Sequence, residues 1–229
     1  MKAIILAAGE GVRLKPLTND IPKALVEVYG KSLLEHNLEK IYKFVDEIII
    51  VIAYKKEKII EKFGDNYAGV KISYHYQNIT KKGTGGAIMG IEIKDEFIIL
   101  FADMLLSDSD IQNILMSKNP TLLTMEVNSP KKYGICSIDK NGNLIEIIEK
   151  PQDFIGNLAN TGCIKADEKL LEEVKKIKLS SRGEYELTDA INSLAKKSPI
   201  QIIRLQEKFI DITSLEDLER IEKEGNFYK

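Results

Sequence analysis

A segment almost free of side chains, followed by basic residues, suggests an anion-binding site near the start of the chain. The apolar run AIIL (residues 3–6) leads into AAGEG (residues 7–11). Small residues after a strand let the backbone approach a ligand closely, with amide N–H groups free to point at it. Arg13 and Lys15 follow, and Lys23 comes after a proline-stiffened stretch. Because N–H groups and cations together bind phosphate, we interpret the segment as a phosphate-binding loop, with solvated loop charges as the alternative.

Two common phosphate-binding patterns do not fit this loop. A dinucleotide fold requires G-x-G-x-x-G, and here Leu14 stands where the third glycine belongs. It also requires an acidic residue after the second strand, where the sequence reads VIAY. A P-loop requires G-x-x-x-x-G-K-[ST], and neither Gly9 nor Gly11 begins that spacing. Both the oxidoreductase and the P-loop interpretations are therefore weak.

The histidines and cysteines do not form a metal-binding or nucleophile pattern. Cys136 and Cys163 are far apart in sequence and lie outside any C-x-x-C motif. Cys136 falls in an alternating, strand-like segment, which indicates a small buried thiol. His36 lies in a helical pattern and His75 in a strand pattern, and neither has metal or triad spacing. We expect no zinc site, no redox motif and no catalytic histidine.

The elements that must position the loop alternate between strands and helices. Apolar runs bounded by turn residues predict four strands, at residues 3–8, 47–54, 70–77 and 96–103. Helical patterns lie around them, at residues 32–44, 55–63 and 84–93. This alternation predicts right-handed βαβ crossovers, and hence an α/β fold: a three-layer α/β/α sandwich with a mostly parallel, Rossmann-like twisted sheet.

The second half of the chain contains more strand-like segments. These lie at residues 120–127, 133–139, 144–150 and 200–205, and the turn DKNGN (139–143) predicts a hairpin. Helical patterns follow at residues 166–177, 185–197 and 214–224, the last with Ser214 as its N-cap. No linker separates two domains, so we expect one domain over residues 1–229, in which the part after about residue 125 builds a small β-rich lid on the same sheet.

Composition and charge exclude several classes of function. The chain has 229 residues, 44% of them hydrophobic and 30% charged, which suits a packed core and a soluble surface. A net charge of −2 argues against a nucleic-acid or polybasic membrane-binding surface. No apolar run approaches the roughly 18 to 20 residues of a bilayer span, and no signal-peptide pattern precedes the first strand. We expect a cytoplasmic protein without nucleic-acid or membrane partners, and its homo-oligomeric state stays open.

The loop and several later segments resemble the sugar-1-phosphate nucleotidyltransferases. LAAGEGVRLKPLTNDIPKALVEV (residues 6–28) is similar to the opening signature of that family, with Val12 where a small hydroxyl residue is commoner. Other segments resemble its later motifs, with Ala102 and Thr213 in place of glycines and Phe209 in place of a tryptophan. In chain order these segments are YQNITKKGTGGA, FADMLL, YGICSIDKNGNLIEIIEKP, LANTGCIKAD, RGEYELTDAI and FIDITSLEDL.

The resemblance implies a Mg2+-dependent enzyme that transfers a nucleotidyl group from an NTP to a sugar 1-phosphate and releases pyrophosphate. The sugar phosphate oxygen attacks the α-phosphorus in line, so the protein mainly positions groups and neutralises charge. It also implies that residues 1–125 bind the nucleotide, and that residues 126–229, including the lid, bind the sugar.

Matching positions give the implied roles of individual residues. Arg13 would contact the leaving pyrophosphate, and Lys23 would stabilise charge on the α-phosphoryl group. Asp103 and Asp211 would bind Mg2+. Nucleotide contacts would come from Leu6, Ala7, Ala8, Gly9, Gly11, Gln77, Gly83 and Thr84. Sugar 1-phosphate contacts would come from Gly134, Glu149, Lys150 and Asn160, with Glu149 accepting from hydroxyls and Lys150 reaching the phosphate.

The resemblance leaves the nucleobase and the sugar open. Gln77 suits a pyrimidine edge and favours UTP or dTTP, but it lies one position further from Gly83 than the uridylyl and thymidylyl enzymes imply. A cytidylyl- or guanylyltransferase acting on phosphocholine, inositol phosphate or mannose 1-phosphate is one alternative. A catalytically silent regulatory subunit that binds a sugar nucleotide is another, although such a protein would be expected to lose Arg13, Lys23 or a metal aspartate.

Chain length bears on the form of the enzyme. The hexapeptide-repeat acetyltransferase half of the bifunctional N-acetylglucosamine-1-phosphate uridylyltransferases does not follow Asn226. We therefore expect a stand-alone transferase, similar to short forms that act on glucose, N-acetylglucosamine or N-acetylmuramate 1-phosphate.

Overall fold

A computed structural model describes residues 1–118, 120–207 and 209–224 of the chain, so that Asn226 lies outside the described residues. The strands are β1 Lys2–Leu6, β2 Glu27–Val28, β3 Lys31–Ser32, β4 Glu47–Ile52, β5 Asn66–Tyr67, β6 Val70–Tyr76, β7 Phe97–Phe101, β8 Met104–Leu105, β9 Thr121–Glu126, β10 Gly134–Ile138, β11 Leu144–Glu149, β12 Leu158–Ala166, β13 Gln201–Arg204 and β14 Ile210–Asp211. The helices are α1 Leu33–Ile41, α2 Lys56–Phe63, α3 Thr84–Ile88, α4 Asp108–Met116, α5 Glu168–Val174, α6 Leu187–Ala195 and α7 Leu215–Glu224. Short 3-10 turns span Val12–Leu14, Leu17–Asn19, Lys23–Leu25, Tyr42–Phe44 and Pro130–Lys132.

A mixed sheet forms the centre of the molecule. Its strand order is β11-β10-β12-β7-β1-β4-β6-β5, and β9 pairs with both β12 and β13. The middle of the sheet is parallel, because β1 pairs in parallel with β4 and β7, and β4 with β6. Ile4 lies opposite Ile49 on one side and Ile99 on the other. β12 runs antiparallel to β7 and joins the second half of the chain to the same sheet.

The sheet separates two hydrophobic cores, as the near-continuous apolar strands predict. Ala3 and Ile5 point into a core that buries residues of α1, α2 and α4. Ile4, between them, points into a core that buries residues of α3, α5 and α6. Successive residues of a strand face opposite sides, so β1 must be apolar throughout. The predicted three-layer α/β/α architecture is confirmed.

Local sequence signals explain where two helices begin. Ser32 accepts a hydrogen bond from the backbone of Glu35 at the start of α1, and the predicted N-cap Ser214 accepts one from the backbone of Asp217 at the start of α7. In α1, Leu34, Leu38 and Ile41 lie on one fully buried face. Removing each such side chain from water contributes roughly 1.5 to 3 kcal/mol to folding.

Two elements differ from the sequence prediction. The helix expected over residues 84–93 ends at Ile88, because Met89 is extended and Gly90 has a φ of 93°. Strand β12 was not predicted, since its polar residues and Gly162 interrupt the apolar pattern and a bulge lies between Asn160 and Ile164. This strand carries the sheet from the central β7 to the lid.

The cysteines and histidines occupy the structural positions expected of them. Both cysteines are buried and free, and burial raises the pKa of the Cys136 thiol to about 12. His36 is buried in α1, with Nε2 at 2.7 Å from the carbonyl oxygen of Val28.

None of the helices that the structure describes combines the length and the apolar character required to cross a membrane.

Candidate active site

The predicted phosphate loop lies at the carboxyl end of the parallel strands. It begins between two neighbouring strand ends, since Ala7 N donates to Val51 O and Ala102 N donates to Leu6 O. Within the described part of the chain, the backbone N–H groups of residues 8 to 12 donate no hydrogen bond. A run of free donors at this edge of an α/β sheet is suited to an anionic ligand.

Gly11 allows the lysine-bearing segment to pack against this loop. Its φ is 71°, and a Cβ atom here would lie 2.9 Å from Lys23 Cβ and 3.0 Å from Thr18 Cγ2. Thr18 Oγ1 in turn donates to Gly11 O at 2.7 Å. Gly11 therefore satisfies both a left-handed backbone and a close contact, which explains why the loop requires glycine at this position.

Lys23 forms an ion pair with Asp103. Its Nζ donates a hydrogen bond to Asp103 Oδ2, and the two side chains are only 13% and 27% exposed. Asp103 follows β7 by two residues, while Lys23 opens a 3-10 turn after the extended Pro22. A loop residue and a strand-end residue thus meet in one place, as the resemblance implies.

Asp211 reaches the same place through a two-stranded ladder. β14 pairs antiparallel with β8, which places Asp211 opposite Met104, and Ile212 N donates to Asp103 O at 3.2 Å. Burial and the neighbouring Asp103 carboxylate raise the pKa of Asp211 to about 6, whereas the charge of Lys23 and then that of Arg13 act to lower it. The four charged residues assigned to phosphate and metal therefore share one electrostatic environment.

A small apolar cluster positions these four charged residues. Six of its eight members, all but Leu33 and Ile221, lie within five positions of one of these charged residues, so burial of the cluster fixes where those residues stand. The buried members are Leu14, Val26, Val28, Leu33, Leu105, Ile210, Ile212 and Ile221.

The two aspartates fit a hard divalent cation that completes its shell with phosphate and water oxygens. Both provide carboxylate oxygens, and the pKa of Asp211 is raised by burial and by the charge of Asp103. A bound cation would therefore relieve the repulsion between the two carboxylates. No group of three or more His, Cys, Asp or Glu side chains gathers as a metal site among residues 1–118, 120–207 and 209–224. An all-protein metal cage is therefore not present in that part of the chain.

A cleft of about 310 Å³ joins the loop to the predicted base-binding segment. It is lined by nine of the predicted residues: Leu6, Ala7, Ala8, Gly9, Lys23, Gln77, Gly83, Thr84 and Asp103. Five further residues complete the lining: Ala24, Ala87, Phe101, Ala102 and Glu184. Gly11 and Arg13 lie outside the lining: Gly11 is close to Lys23, and Arg13 is exposed, near enough for its charge to act on Asp211.

The extra residue between Gln77 and Gly83 is accommodated in a turn. Lys81 N donates to Asn78 O at 2.9 Å, and the Asn78 side chain accepts from both the N–H and the hydroxyl of Thr80. Gln77 Nε2 donates to Lys81 O at 3.2 Å, so its side chain lies along this turn. Gln77 and Gly83 consequently line the same cleft despite the longer spacing.

The wall of the cleft at Gly83 is fixed by a segment of the second half of the chain. Gly83 has a φ of 99°, and a Cβ atom there would lie 2.5 Å from Tyr185 O. Tyr185 N donates to Lys82 O at 2.8 Å, and Leu187 N donates to Thr84 Oγ1 at 3.1 Å. This packing brings Glu184 into the cleft lining, a position for which the sequence analysis assigned no role.

The predicted sugar-binding residues lie on the lid strands or, for Lys150, directly after one, and not in the cleft lining. Gly134 and Glu149 are opposite each other on β10 and β11. Lys150 is exposed, with its backbone N–H donating to Tyr133 O, and Asn160 Oδ1 accepts from Gly162 N in the β12 bulge. The hairpin thus brings Gly134, Glu149 and Lys150 together.

Arg182 links the lid to the cleft, and sequence analysis did not identify it. Its guanidinium lies 3.5 Å from Glu149 Oε2, 3.6 Å from Glu186 Oε1 and 3.8 Å from Glu184 Oε2. Burial raises the pKa of Glu186, and Arg182 acts against that rise. The RGE segment at residues 182–184 was recognised as a motif, but its sequence alone does not indicate which carboxylates the arginine meets.

Comparison with known proteins gives a consistent family. The model of the nucleotidyl transferase family matches residues 2–225. The chain is 38% identical over 214 residues to the bifunctional protein GlmU of Methanocaldococcus jannaschii, covering 93% of this chain and 51% of that protein. It is 32% identical over 234 residues to UTP–glucose-1-phosphate uridylyltransferase AglF of Haloferax volcanii, covering 97% of this chain and 96% of AglF. The chain thus spans about half the length of the bifunctional relatives.

Solved structures agree in fold. UDP-glucose pyrophosphorylase, in a complex with UDP-glucose, superposes with a TM-score of 0.88 at 23% identity, covering 97% of both chains. A putative glucose-1-phosphate thymidylyltransferase from Bacillus anthracis gives a TM-score of 0.83 at 27% identity, covering 100% of this chain and 98% of that one. With the family match over nearly its whole described length, the chain belongs to the nucleotidyl transferase family.

Proposed function

We propose that the protein transfers a nucleotidyl group from UTP or dTTP to a sugar 1-phosphate and releases pyrophosphate. The observation that carries this proposal is that the loop with free N–H groups meets Lys23 and Asp103 in one cleft, with Asp211 beside Asp103. Such an arrangement provides donors, a cation and carboxylates for a metal-bound triphosphate. These groups include no protein nucleophile, and in-line attack by the sugar phosphate requires none.

The residues of the chain would position the triphosphate for in-line attack. The N–H groups of residues 8 to 12 would bind phosphate oxygens, and Arg13 would neutralise the leaving pyrophosphate. Lys23 would turn from Asp103 toward the α-phosphoryl group as negative charge develops there. Asp103 and Asp211 would hold Mg2+, which would neutralise phosphate charge and orient the reacting oxygens.

The base and the sugar would occupy opposite ends of the site. Gln77 offers both a donor and an acceptor to a pyrimidine edge, beside the close backbone at Gly83. Glu149 would accept hydrogen bonds from sugar hydroxyls, and Lys150 would reach the sugar phosphate. AglF, which the chain matches over nearly its full length, is named as a glucose-1-phosphate uridylyltransferase, and this supports UTP and a hexose 1-phosphate. Because these substrates are cytoplasmic metabolites, we propose the same location for the protein.

A pyrophosphate-release panel tests the proposal. The purified chain is assayed with UTP, dTTP, CTP, GTP and ATP against glucose, N-acetylglucosamine, N-acetylmuramate and mannose 1-phosphates, phosphocholine and inositol phosphate, with Mg2+ or with EDTA. We expect Mg2+-dependent release with UTP or dTTP and a hexose 1-phosphate, and none from the Lys23→Ala control. Nucleotide sugar binding without release from any pair would contradict the enzymatic function and favour a regulatory subunit. Release only with CTP or GTP would overturn the base assignment.

A further inference from the structure

One side chain from a distant helix holds the edge strand of the lid near its middle. β11 is the outermost strand beyond β10: at its start Asn143 bridges to Gln201 and Leu144 N donates to Ile200 O, and beyond that point no strand of the described chain pairs with its outer edge. At that edge Asn192 Oδ1 accepts a hydrogen bond from Ile147 N at 2.7 Å, and Asn192 Nδ2 donates to Ile147 O at 2.8 Å. The asparagine amide thus pairs with both backbone groups of one residue, as a neighbouring strand would.

The helix that carries Asn192 is anchored in the core and reaches the nucleotide cleft. Leu187, Ala190 and Ile191 of α6 are buried against the sheet. At the start of the helix, Leu187 N donates to the hydroxyl of Thr84, which lines the cleft. Asn192 lies further along the same short helix. One rigid element therefore contacts the cleft wall at its start and the lid strand near its end.

The residue held by Asn192 is two positions from Glu149. Residues i and i+2 of a strand face the same side, so Ile147 and Glu149 both point toward the α6 side of β11. Ile147 is buried there, and Glu149 meets Arg182 at 3.5 Å. Fixing the backbone at Ile147 therefore limits how far Glu149 can move relative to the cleft.

We propose that Asn192 is a positioning residue that sets the location of Glu149 for the sugar 1-phosphate. The inference rests on the proposed function, in which Glu149 accepts hydrogen bonds from the sugar. Asn192 touches no substrate itself and acts through the backbone of β11. A purely structural role, closing the free edge of the sheet, would affect stability but would not distinguish one substrate from the other.

Steady-state kinetics with the most active substrate pair test this role. Asn192→Ala should raise the KM for the sugar 1-phosphate about tenfold, the effect of losing well-placed hydrogen bonds, while the KM for the NTP stays unchanged. Asn192→Asp keeps an acceptor for Ile147 N–H but loses the donor, so it should fall between the wild type and Asn192→Ala. The control is Ser137→Ala, which removes a weaker 3.4 Å side-chain bond to Glu146 O on the same hairpin. It should leave both KM values unchanged.

Amide hydrogen exchange gives a readout that does not depend on turnover or on Asn192→Ala folding well. In the wild type, Ile147 N–H should exchange slowly although it lies on the free edge of β11, and in Asn192→Asp it should stay partly protected. Fast exchange in the wild type, or equal changes in both KM values, would overturn the inference. If the wild type releases no pyrophosphate, the proposed function is contradicted instead. The positioning role would still be supported if Ile147 N–H exchanges slowly in the wild type and if Asn192→Asp binds UDP-glucose more weakly than it binds UDP.

Discussion

The ammonium group of Lys23 donates a hydrogen bond to the carboxylate of Asp103, although the two residues are 80 positions apart in sequence. This contact joins the segment behind the phosphate loop to the end of a central strand. It also places a cation beside two carboxylates, since the charge of Asp103 contributes to the raised pKa of Asp211. The site is therefore arranged around charge compensation.

Asp103→Asn should reduce turnover by about 100-fold or more, because a proposed metal ligand and the partner of Lys23 are lost together. The fold should persist, since the Asp103 side chain is only partly buried. Pyrophosphate release in Mg2+ and thermal unfolding measure the two effects. Asp108→Asn is the matched control, because Asp108 belongs to another lysine–aspartate pair, with Lys40, outside the cleft lining. Turnover of Asp103→Asn close to that of this control would refute the role of Asp103.

Asp211→Asn should stabilise the metal-free protein at neutral pH. The carboxyl has a pKa of about 6 in the fold, against its ordinary 3.8, so between these values the folded state holds more protons than the unfolded state. The free energy of unfolding therefore falls as pH rises from about 4 to about 6, and the loss persists above that range. The free energy of unfolding of Asp211→Asn should therefore exceed that of the wild type by up to roughly 3 kcal/mol at about pH 7.5, and the two should be equal below about pH 4.

Thermal unfolding in EDTA at the two pH values checks this, with the exposed Asp153→Asn as the control. Mg2+ should then raise the melting temperature of the wild type and not that of Asp211→Asn. The assignment fails if Asp211→Asn is destabilised equally at both pH values, or if Mg2+ stabilises both proteins alike.

The parts of the site that sequence could predict are those encoded locally. Gly11 and Lys23 belong to one continuous segment, and at each of these positions few other residue types would be suitable. The near-continuous apolar strands likewise predict a sheet buried on both faces, which the two cores confirm. Signals of this kind depend on neighbours in sequence, so reading the sequence alone recovers them.

The parts that sequence could not predict depend on distant contacts. The resemblance implies that Asp103 and Asp211 share a metal, but the contact that joins them is made by strands of two residues each, which are too short to show any periodicity. Glu184 and Arg182 are charged residues in a loop, and only the packing of Tyr185 against Gly83 shows that they border the site. Asn192 looks like any polar residue of an amphipathic helix until its contact with Ile147 is seen.

Gln77→Ala should weaken the choice among nucleotides and leave the chemistry intact. Gln77 lines the cleft and its amide lies along the turn at Lys81, so its loss removes a donor and an acceptor from the proposed base site. The ratio of kcat/KM for UTP to that for CTP should fall about tenfold. Thr80→Ala, in the same turn but outside the lining, is the control and should keep the ratio. An unchanged ratio in Gln77→Ala would place base recognition elsewhere.

Gly83→Ala should destabilise the protein far more than Gly69→Ala, although both glycines have φ values above 90°. A Cβ atom at Gly69 meets nothing within 4 Å, so that substitution should cost only the backbone term, about 1 to 2 kcal/mol. At Gly83 the added carbon would lie 2.5 Å from the carbonyl oxygen of Tyr185, a backbone atom that cannot move away by side-chain rotation. The cleft wall at Gly83 must then move away from residues 184–186, and the free energy of unfolding should fall by roughly 3 kcal/mol or more in all. Urea unfolding of the two variants measures the difference. Equal losses would mean that Gly83 is required only for its backbone conformation and that the close contact with Tyr185 does not hold the cleft wall in place.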